Sequence, residues 1–587
     1  MSRLPAILRL ALPFTLAVSP ALAQSPGSQP SAPPALVVTI VVDQFSANLF
    51  NQYRSHFTGG MKRLIDQGLV YANGYQAQGI TKTCPGHATV LSGAYPTTVG
   101  IPSNEWVDPV TGLEVYCLAA PQNTLADGGE GENGPVGPDN IGVTMLPDWL
   151  KAVSPRSRVY AVSGKDRGAI NLAGHAPDGA FWIKEGFGLT TYVEPGQTAE
   201  ARLAPVADFN AAYRARYGAD PVGRWTYQHD QCRALVGDTT VYDVVLHADL
   251  PPEDYNLEDS PALDETTLAA ASDLLERQQL GRRGVTDMLG VSLSGTDKIG
   301  HHYGTQGPEI CEQLLRMDEA LGVFLDKVAE VPGGAIVVLT ADHGGSDSPE
   351  RMADRGAVAG RYDRTMLPRI NERLMAQFGL SVAPLQNGNT GLIVAGADHI
   401  LLPQPLRSRI VAAALPLVSA EPTVSYAAAT DALLTEPMPD RNTPPEAMSV
   451  RERLRLSAVA DAGADIMVAY APYLTAQNRP RGDIASHGSV WDYDRRVPII
   501  FWRPDGPGQE RFWQIRTVDI APSLANMMGL EAAGTVDGRC LDLTVYGAAP
   551  CPAKAEPTRA ADRSLATPAA TAQQSSVLSR LARSLGF

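Results

Sequence analysis

The sequence lacks an excess of positive charge, and beyond its N-terminus it lacks any long apolar run. Its 63 acidic residues outnumber the 48 lysines and arginines, which gives a formal net charge of −15. This charge argues against nucleic acid as a partner, and no stretch after the N-terminus is long and apolar enough to predict a membrane span. If the chain acts on an anionic substrate, local positive charge must come from metal ions or from well-placed lysines and arginines.

Cysteine is scarce, and none of the six cysteines lies in a CxxC pair. That spacing argues against a zinc site built on thiolates. An even number in an oxidising compartment permits three disulfides. Cys540 and Cys551 are close enough in sequence to close one loop. The other four allow three pairings, between which the sequence does not choose: Cys84, Cys117, Cys232 and Cys311.

The N-terminus is typical of a secretory signal peptide over residues 1–23. Arg3 and Arg9 supply basic charge, Leu10–Val18 is a short apolar segment, and Ala21-Leu22-Ala23 has the small-x-small form of a cleavage site. An ordinary buried N-terminal helix is the less favoured interpretation. We therefore expect an exported protein, periplasmic or secreted, with a disordered linker at 24–34 and a mostly disordered tail at 552–587.

Short β-branched apolar runs recur along the chain and alternate with helical patterns. The run "ALVVTIVVD" ends at Asp43, and the apolar residues of 309–330 recur at helical spacing. Strands that alternate with helices predict an α/β fold with a mostly parallel central sheet covered by helices on both faces. We expect one catalytic domain over 35–551, with capping insertions near 180–285 and 403–465. Further strand-like runs lie at 158–164, 288–295, 335–345, 390–396, 465–472 and 497–502.

Carboxylates and imidazoles cluster at the predicted strand ends. In open α/β sheets ligands bind outside the carboxyl ends of the strands. A lone aspartate there is more often a helix cap or turn residue, and a lone histidine is usually structural. Four separate segments with such residues favour a metal site instead, and the mixture of nitrogen and carboxylate ligands suits Zn²⁺. The residues are Asp43, Asp297, His301, Asp342, His343 and His487.

The ordered set D…T…D-x-x-x-H…DH…H resembles the alkaline phosphatase superfamily. It is most similar to the bacterial, phosphate-irrepressible alkaline phosphatases that use threonine as nucleophile, and the resemblance spans about residues 36–545. It implies an alkaline-phosphatase-like fold, a monomer, and two Zn²⁺ ions per chain. One ion would be bound by Asp297, His301 and His487. The other would be bound by the nucleophile hydroxyl together with Asp43, Asp342 and His343.

Three threonines compete for the role of nucleophile in the stretch "QGITKTCPGHATVLSG". The resemblance places the nucleophile about twenty residues before an asparagine that contacts the phosphoryl group, and Asn104 is the candidate for it. Counting back favours Thr83 over Thr81, while Thr89 is interpreted as a helix residue. A helix beginning near Pro85 would put Thr83 at its N-terminus, where positive potential favours an alkoxide and a phosphate.

Zinc coordination would lower the pKa of the threonine hydroxyl, so no histidine base is required. We therefore interpret His87 as a structural helix residue, with a supporting role behind the ligands as the alternative. In "SGKDRG", Lys165 and Arg167 would point the same way from an extended loop. An exposed surface turn is the ordinary interpretation of such a pair. The resemblance implies instead that both contact the phosphoryl oxygens, together with Asn104.

These residues predict a phosphoric monoester hydrolase that acts on small phosphate esters through a phosphothreonine intermediate and releases inorganic phosphate. The alternative is a phosphodiesterase or nucleotide pyrophosphatase of the same superfamily, which lacks the Lys/Arg pair. A third hypothesis is an exported binding protein on an inactivated scaffold. It would lack a ligand or the nucleophile, and none is missing here.

Overall fold

A computed structural model describes residues 32–217, 226–237, 239–241, 244–246, 257–460, 462–475 and 483–552. The chain divides into two units, Met1–Ala549 and Pro550–Phe587, and only the first three residues of the second are described. The predicted signal peptide, most of the predicted linker and nearly all of the predicted tail lie outside the described residues, so they stay predictions.

A ten-stranded sheet forms the centre of the first unit. Its order is β21-β2-β20-β13-β1-β12-β6-β7-β8, with β22 also paired to β2. The strands of the described residues are β1 Leu36–Val42, β2 Leu69–Tyr75, β3 Glu105–Val107, β4 Glu114–Tyr116, β5 Thr124–Leu125, β6 Val159–Ser163, β7 Gly179–Lys184, β8 Gly188–Thr190, β9 Tyr192–Val193, β10 Thr239–Val241, β11 Val244–Leu246, β12 Asp287–Leu293, β13 Ala335–Thr340, β14 Gly360–Arg361, β15 Leu385–Gly388, β16 Gly391–Val394, β17 Val424–Ala429, β18 Ile466–Tyr470, β19 Leu474–Thr475, β20 Arg496–Trp502, β21 Gln509–Arg511 and β22 Ile515–Arg516.

Five neighbouring strands of this sheet, β13, β1, β12, β6 and β7, are parallel to one another. The strand β20 runs antiparallel to both of its neighbours, β13 and β2, and β8 is an antiparallel edge strand. The sheet is therefore mixed but mostly parallel, as the alternation of strand and helix patterns predicts.

Helices cover both faces of the sheet. The α-helices of the described residues are α1 Ala47–Tyr53, α2 Gly60–Gln67, α3 Thr83–Ser92, α4 Pro96–Val99, α5 Leu146–Val153, α6 Asp166–Ala173, α7 Ala199–Leu203, α8 Ala207–Tyr217, α9 Asp230–Arg233, α10 Pro261–Arg277, α11 Gly295–Tyr303, α12 Pro308–Ala329, α13 Pro349–Asp354, α14 Met366–Phe378, α15 Leu406–Ser419, α16 Thr430–Leu434, α17 Val450–Ser457, α18 Asp492–Arg495 and α19 Ile520–Met528. Short 3₁₀ helices lie at Ala204–Val206, Ala397–His399, Pro445–Ala447, Thr517–Asp519 and Thr544–Tyr546.

Alternate residues of β1 pack into different cores, because successive side chains of a strand point to opposite faces. Val38 and Ile40 belong to the core that includes residues of α10 and α12. Val37 and Val41 belong to the core that includes residues of α3, α6 and α19. All seven residues of β1 are buried. Burial on both faces explains why this strand reads as a continuous apolar run, and it confirms the predicted sheet with helices on both sides.

Two of the predicted strand runs lie outside the central sheet. The runs at 390–396 and 465–472 form β16 and β18 of a separate antiparallel sheet, in the order β15-β16-β18-β17. This accessory sheet, β15–β18, shares a core with α14 and α15. A short buried run looks alike in either sheet, so composition did not separate them. The insertion boundaries near 180–285 and 403–465 remain predictions.

The structure selects one of the three cysteine pairings that the sequence left open. Cys84 pairs with Cys117, and Cys232 pairs with Cys311. Cys540 and Cys551 are also disulfide-bonded, so the chain has no free cysteine. Among the described residues, no helix has the length and apolarity that a membrane crossing requires.

Candidate active site

The candidate residues meet at the carboxyl ends of the adjacent strands β13, β1, β12 and β6. Asp43 directly follows β1, and Asp342 follows β13 by two residues. Asp297 lies in the first turn of α11, just after β12. Lys165 follows β6 and is the residue immediately before α6. His487 comes from the segment before β20, which reaches the same edge because β20 runs in the opposite direction.

At this edge of the sheet, two groups of side chains are close enough to hold metal ions. In each group the candidate ligand atoms lie within 4.8 Å of one another. The first group is Asp297, His301 and His487. The second group is Asp43, Asp297 and His343, so Asp297 lies in both. Asp342 extends the second group, since its Oδ2 lies 3.4 Å from His343 Nε2.

The three histidines of these groups have the same orientation. The Nδ1 atom of each lies near a backbone carbonyl: Ala485 O for His301 at 2.9 Å, Gly344 O for His343 at 2.9 Å, and Thr81 O for His487 at 2.7 Å. A carbonyl oxygen only accepts, so each Nδ1 is the donor, and each Nε2 presents its lone pair or a second proton. Metal-binding histidines are commonly held in this way.

Each Nε2 atom then faces a carboxylate oxygen. His301 and His487 lie 3.3 and 3.4 Å from Asp297 Oδ1, and His343 lies 3.2 Å from Asp43 Oδ1. When the ring is neutral, its Nε2 carries a lone pair. That lone pair would then face a carboxylate oxygen, which is also an acceptor, unless a cation lies between the two atoms. Three atoms of these groups are buried without a hydrogen-bond partner: Asp43 Oδ1, Asp297 Oδ1 and His343 Nε2. The donor set therefore fits metal ions, which would satisfy these atoms.

The local charges shift the pKa values of His343 and His487 in opposite directions. Burial opposes the charged form of His343, but Asp342 and Asp43 raise its pKa to about 9. Burial and the nearby charge of His343 lower the pKa of His487 to about 3. The rings of these two histidines stack with their centroids 3.6 Å apart. Imidazoles this close do not both carry a charge, so His487 is the neutral ring of the pair at neutral pH.

Thr83 is the first residue of α3, two positions earlier than the predicted helix start. The hydroxyl of Thr81 donates to Ser489 O at 2.8 Å, and the hydroxyl of Thr89 donates to Gly86 O at 2.7 Å. Gly86 lets α3 approach the metal groups, because a Cβ there would lie 2.3 Å from Asp342 O.

Asn104 is tied to α3 by its own hydrogen bonds and by a disulfide. Its Oδ1 accepts the N–H of Cys84 at 2.8 Å, and its backbone carbonyl accepts the N–H of Cys117 at 2.7 Å. The two cysteines that hold Asn104 are bonded to each other. Because Oδ1 is engaged, the amide NH₂ is directed away from Cys84 and remains available as a donor.

The segment "SGKDRG" does not form the extended loop that the sequence analysis predicts. Lys165 is extended, but the helix α6 begins at Asp166, where an N-terminal aspartate is favourable. Lys165 Nζ lies 2.7 Å from Asp43 Oδ2 and also contacts Asp297. Burial opposes its charge, but the two carboxylates raise the pKa of Lys165 above its ordinary value. Burial opposes the charge of Arg167, but Tyr116 and Asp166 raise the pKa of its guanidinium, and its Nε is buried without a partner.

Comparisons with known proteins identify the family of this chain. The sequence profile of the type I phosphodiesterase / nucleotide pyrophosphatase family matches residues 37–368. Alkaline phosphatase PhoK of Sphingomonas sp. is 34% identical over 540 residues, which cover 87% of this chain and 92% of PhoK. Alkaline phosphatase PhoD of Zymomonas mobilis is 33% identical over 531 residues, covering 88% of this chain and 90% of that protein.

The chain belongs to the alkaline phosphatase superfamily. Its relatives include the PhoK- and PafA-type alkaline phosphatases, which confirms the predicted enzyme class. The crystal structure of alkaline phosphatase PafA shares the fold, with a TM-score of 0.73 at 24% identity, and the match covers 87% of this chain and 98% of PafA. The alkaline-phosphatase-like fold is thereby confirmed.

His87 is a residue of this alkaline phosphatase that the sequence analysis underestimated. Its Nδ1 lies 3.0 Å from Asp342 Oδ2 and 3.0 Å from Thr83 O, and its Nε2 lies 2.9 Å from Ser292 Oγ. The ring therefore links the nucleophile candidate's helix to a carboxylate of the second metal group. A signal was present, since residues i and i+4 share one face of a helix that starts at Thr83. The predicted start near Pro85 concealed it.

Proposed function

We propose that this alkaline phosphatase hydrolyses phosphate monoesters through a covalent phosphothreonine on Thr83 and releases inorganic phosphate. The observation that carries the proposal is the approach of α3 to the second metal group: α3 begins at Thr83, and its Gly86 and His87 lie against Asp342. The N-terminal end of a helix stabilises both an alkoxide and a bound phosphoryl group.

Two Zn²⁺ ions would complete the site. The first would be held by Asp297, His301 and His487, and the second by Asp43, Asp342, His343 and the Thr83 hydroxyl. Nitrogen and carboxylate donors in small sets suit zinc better than magnesium or calcium. When bound, such ions supply Lewis-acid stabilisation of the attacking and departing oxygens.

The chain's own residues orient the reaction. Thr83 Oγ1 attacks phosphorus, the ester P–O bond breaks, and the alcohol departs on the opposite side in line with the attack. The non-bridging oxygens accept hydrogen bonds from Asn104, Lys165 and Arg167. These N–H groups, and the positive charge of the lysine and the arginine, stabilise the negative charge of the transition state. Water then attacks the phosphothreonine, the P–Oγ1 bond breaks, and Thr83 is regenerated as phosphate leaves.

A phosphodiesterase or nucleotide pyrophosphatase is the second candidate, because the matching family profile carries that description. Two observations favour the monoester. Lys165 reaches both metal groups, and Arg167 lies two positions further along the chain and lines the same small cavity, so two cations are available for a doubly charged phosphoryl group. A diester carries one negative charge and a second organic group, so it forms weaker electrostatic interactions with Lys165 and Arg167 than a monoester does.

Steady-state kinetics on p-nitrophenyl phosphate and bis-p-nitrophenyl phosphate test this choice. We expect a strong preference for the monoester that collapses in the Lys165→Ala/Arg167→Ala double variant. Lys62→Ala/Arg63→Ala is the control, since it removes the same charge from α2, where both residues form surface ion pairs. Diester hydrolysis that is equal or better, and unchanged in the double variant, would favour the second candidate.

The nucleophile and the metals have separate tests. Acid-quenched enzyme should carry phosphate on the peptide containing Thr83, and Thr83→Ala should abolish this label while Thr81→Ala retains it. Metal analysis of the purified protein should give two zinc ions per chain. A labelled Thr83→Ala variant, or a protein that stays active after complete removal of metal, would contradict these assignments.

The proposal includes export to the periplasm or the medium, and a monomeric state. Closure of all six cysteines in disulfides supports an oxidising compartment. Cell fractionation and N-terminal sequencing test export and a mature N-terminus near Gln24. Light scattering of the purified enzyme tests the monomer, which rests on the family resemblance.

A further inference from the structure

Gln44 follows the candidate ligand Asp43 and has a backbone conformation that glutamine rarely adopts. Its φ is 63°, and the residue is fully buried. Positive φ is unfavourable for residues with a long side chain, because the Cβ atom then crowds the backbone. Residues held in this way are found most often at functional sites, where the surrounding structure maintains them. The conformation of Gln44 therefore points to a role in the adjacent metal groups.

The side chain of Gln44 is packed between two glycines that come from different ligand-bearing segments. A Cβ at Gly300 would collide with Gln44 Oε1, and a Cβ at Gly345 would lie 2.8 Å from Gln44 Nε2. Gly300 lies in α11 and directly precedes His301 of the first metal group. Gly345 follows His343 of the second metal group by two positions. Neither glycine has a positive φ, so the contact with Gln44 explains why both positions lack a side chain.

The backbone of Gln44 contacts the second metal group directly, whereas its amide makes no hydrogen bond. The N–H of Gln44 donates to Asp342 Oδ1 at 3.2 Å. Both amide atoms, Oε1 and Nε2, are buried, and neither has a hydrogen-bond partner among the described residues. Buried polar atoms without partners are unfavourable. What the side chain contributes is therefore its size and shape rather than its polarity.

We propose that Gln44 is a positioning residue that holds α11 and the segment after β13 at the separation that the two metal groups require. Its side chain fills the space between Gly300 and Gly345, and its N–H orients the carboxylate of Asp342. This rests on the two-metal site of the proposed function and names the residue that sets its geometry. Since the side chain acts through its size, a residue of similar length without polar atoms should replace it.

Two substitutions at this position separate the size of the side chain from its polarity. Gln44→Gly removes the side chain and tolerates positive φ, whereas Gln44→Met keeps a similar length without the amide. The zinc-loaded protein is dialysed against a graded chelator, and the zinc retained per chain is measured. We expect Gln44→Gly to weaken retention about 10- to 100-fold, as is common when a residue that supports metal ligands is lost, and Gln44→Met to stay within about threefold of the wild type.

Gln279→Gly is the matched control for backbone strain. Gln279 is also a glutamine with positive φ, 51°, but it is exposed, lies two residues after the end of α10 and belongs to neither metal group. Both glycine variants relieve the same strain, so only Gln44→Gly should lose zinc. A purely structural role of Gln44 would instead lower the melting temperature of the metal-free protein and leave zinc retention of the folded protein unchanged.

Gly300→Ala gives a reciprocal test from the other side of the contact. The added methyl group would collide with Gln44 Oε1, so zinc retention should fall. Combining it with Gln44→Gly removes the obstructing amide, and retention should be higher in the double variant than the two single losses predict. Losses that simply add would contradict a direct contact between the two positions as the cause.

The outcomes distinguish this inference from the function on which it rests. A wild type that retains two zinc ions, together with equal retention in Gln44→Gly, would overturn the inference and leave the proposed phosphatase intact. A loss in Gln44→Met as large as in Gln44→Gly would also overturn it, because the polarity of the amide would then be required. If the wild type retains no zinc, the proposed metal site and this inference both fail.

Discussion

Removing the Cys84–Cys117 disulfide should reduce both stability and activity. The bond closes a loop with a sequence separation of 33 residues. For a loop of this length, the loss of unfolded-chain entropy predicts that the Cys84→Ala/Cys117→Ala variant loses about 4 kcal/mol of folding free energy. The loop contains Asn104, whose two oxygens accept hydrogen bonds from the N–H groups of these same cysteines.

The effect on activity follows from the freedom that Asn104 gains. Without the disulfide, Asn104 is held less firmly. Its proposed hydrogen bond to a charged phosphoryl oxygen in the transition state is then weaker. We expect kcat/KM for p-nitrophenyl phosphate to fall about tenfold, which corresponds to about 1.4 kcal/mol. Urea denaturation followed by fluorescence gives the stability, and initial rates far below the unfolding midpoint give the activity.

The Cys232–Cys311 disulfide supplies a matched control. It closes a longer loop, with a sequence separation of 79, and it joins α9 to α12. Its removal should cost about 4.5 kcal/mol by the same relation, yet leave kcat/KM within twofold. Our reasoning about Asn104 would be refuted if both double variants lost stability and both retained full activity.

Three further predictions concern single residues. Asn104→Ala should lower kcat/KM roughly 10- to 150-fold, because one hydrogen bond to a charged group contributes a factor of this size, and the melting temperature should be nearly unchanged. A change in kcat/KM within twofold in a monoester assay would contradict the role of Asn104. His87→Phe should weaken metal retention about 10- to 100-fold, because Asp342 loses a supporting partner; competition with a graded chelator measures this, and unchanged retention would make His87 a packing residue only. Burial raises the pKa of Asp264 to about 7, although hydrogen bonds donated by the Gly295 N–H and the Gln313 side chain act to lower it. Its ordinary value is 3.8, so between about pH 4 and pH 7 the folded state holds a proton that the unfolded state has lost, and stability falls as pH rises through this window. Asp264→Asn lacks this loss, so its melting temperature relative to the wild type should rise from pH 4 to pH 8, and a pH-independent difference would contradict the shift.

The residues at strand ends were predictable because two simple rules coincide there. The run before Asp43 is too apolar and β-branched to be anything but a buried strand, and a carboxylate after such a strand lies at the ligand-binding edge. His87 and the helical start of "SGKDRG" were less accessible. Both depend on where a helix begins, and boundaries are set by tertiary packing as much as by local sequence.

The accessory sheet shows a second feature that the sequence alone does not predict. Its strands β16 and β18 are short and apolar, as the strands of the central sheet are, and only long-range pairing separates the two sheets. The cysteine pairing was open for the same reason. Spacing along the chain does not determine which residues meet in space, whereas an ordered set of metal ligands has a recognisable pattern even when its members are far apart.

The reversed direction of β20 has a consequence for how this site is assembled. His487 reaches the ligand edge from the start of an antiparallel strand, and its Nδ1 pairs with the carbonyl of Thr81, 406 positions earlier in the chain. A chain that stops before this segment would contain the five neighbouring parallel strands β13, β1, β12, β6 and β7 but an incomplete first metal group. Contacts of such high sequence separation form late in folding. Metal uptake at the first group should therefore report that synthesis and folding have reached the last large strand of the sheet.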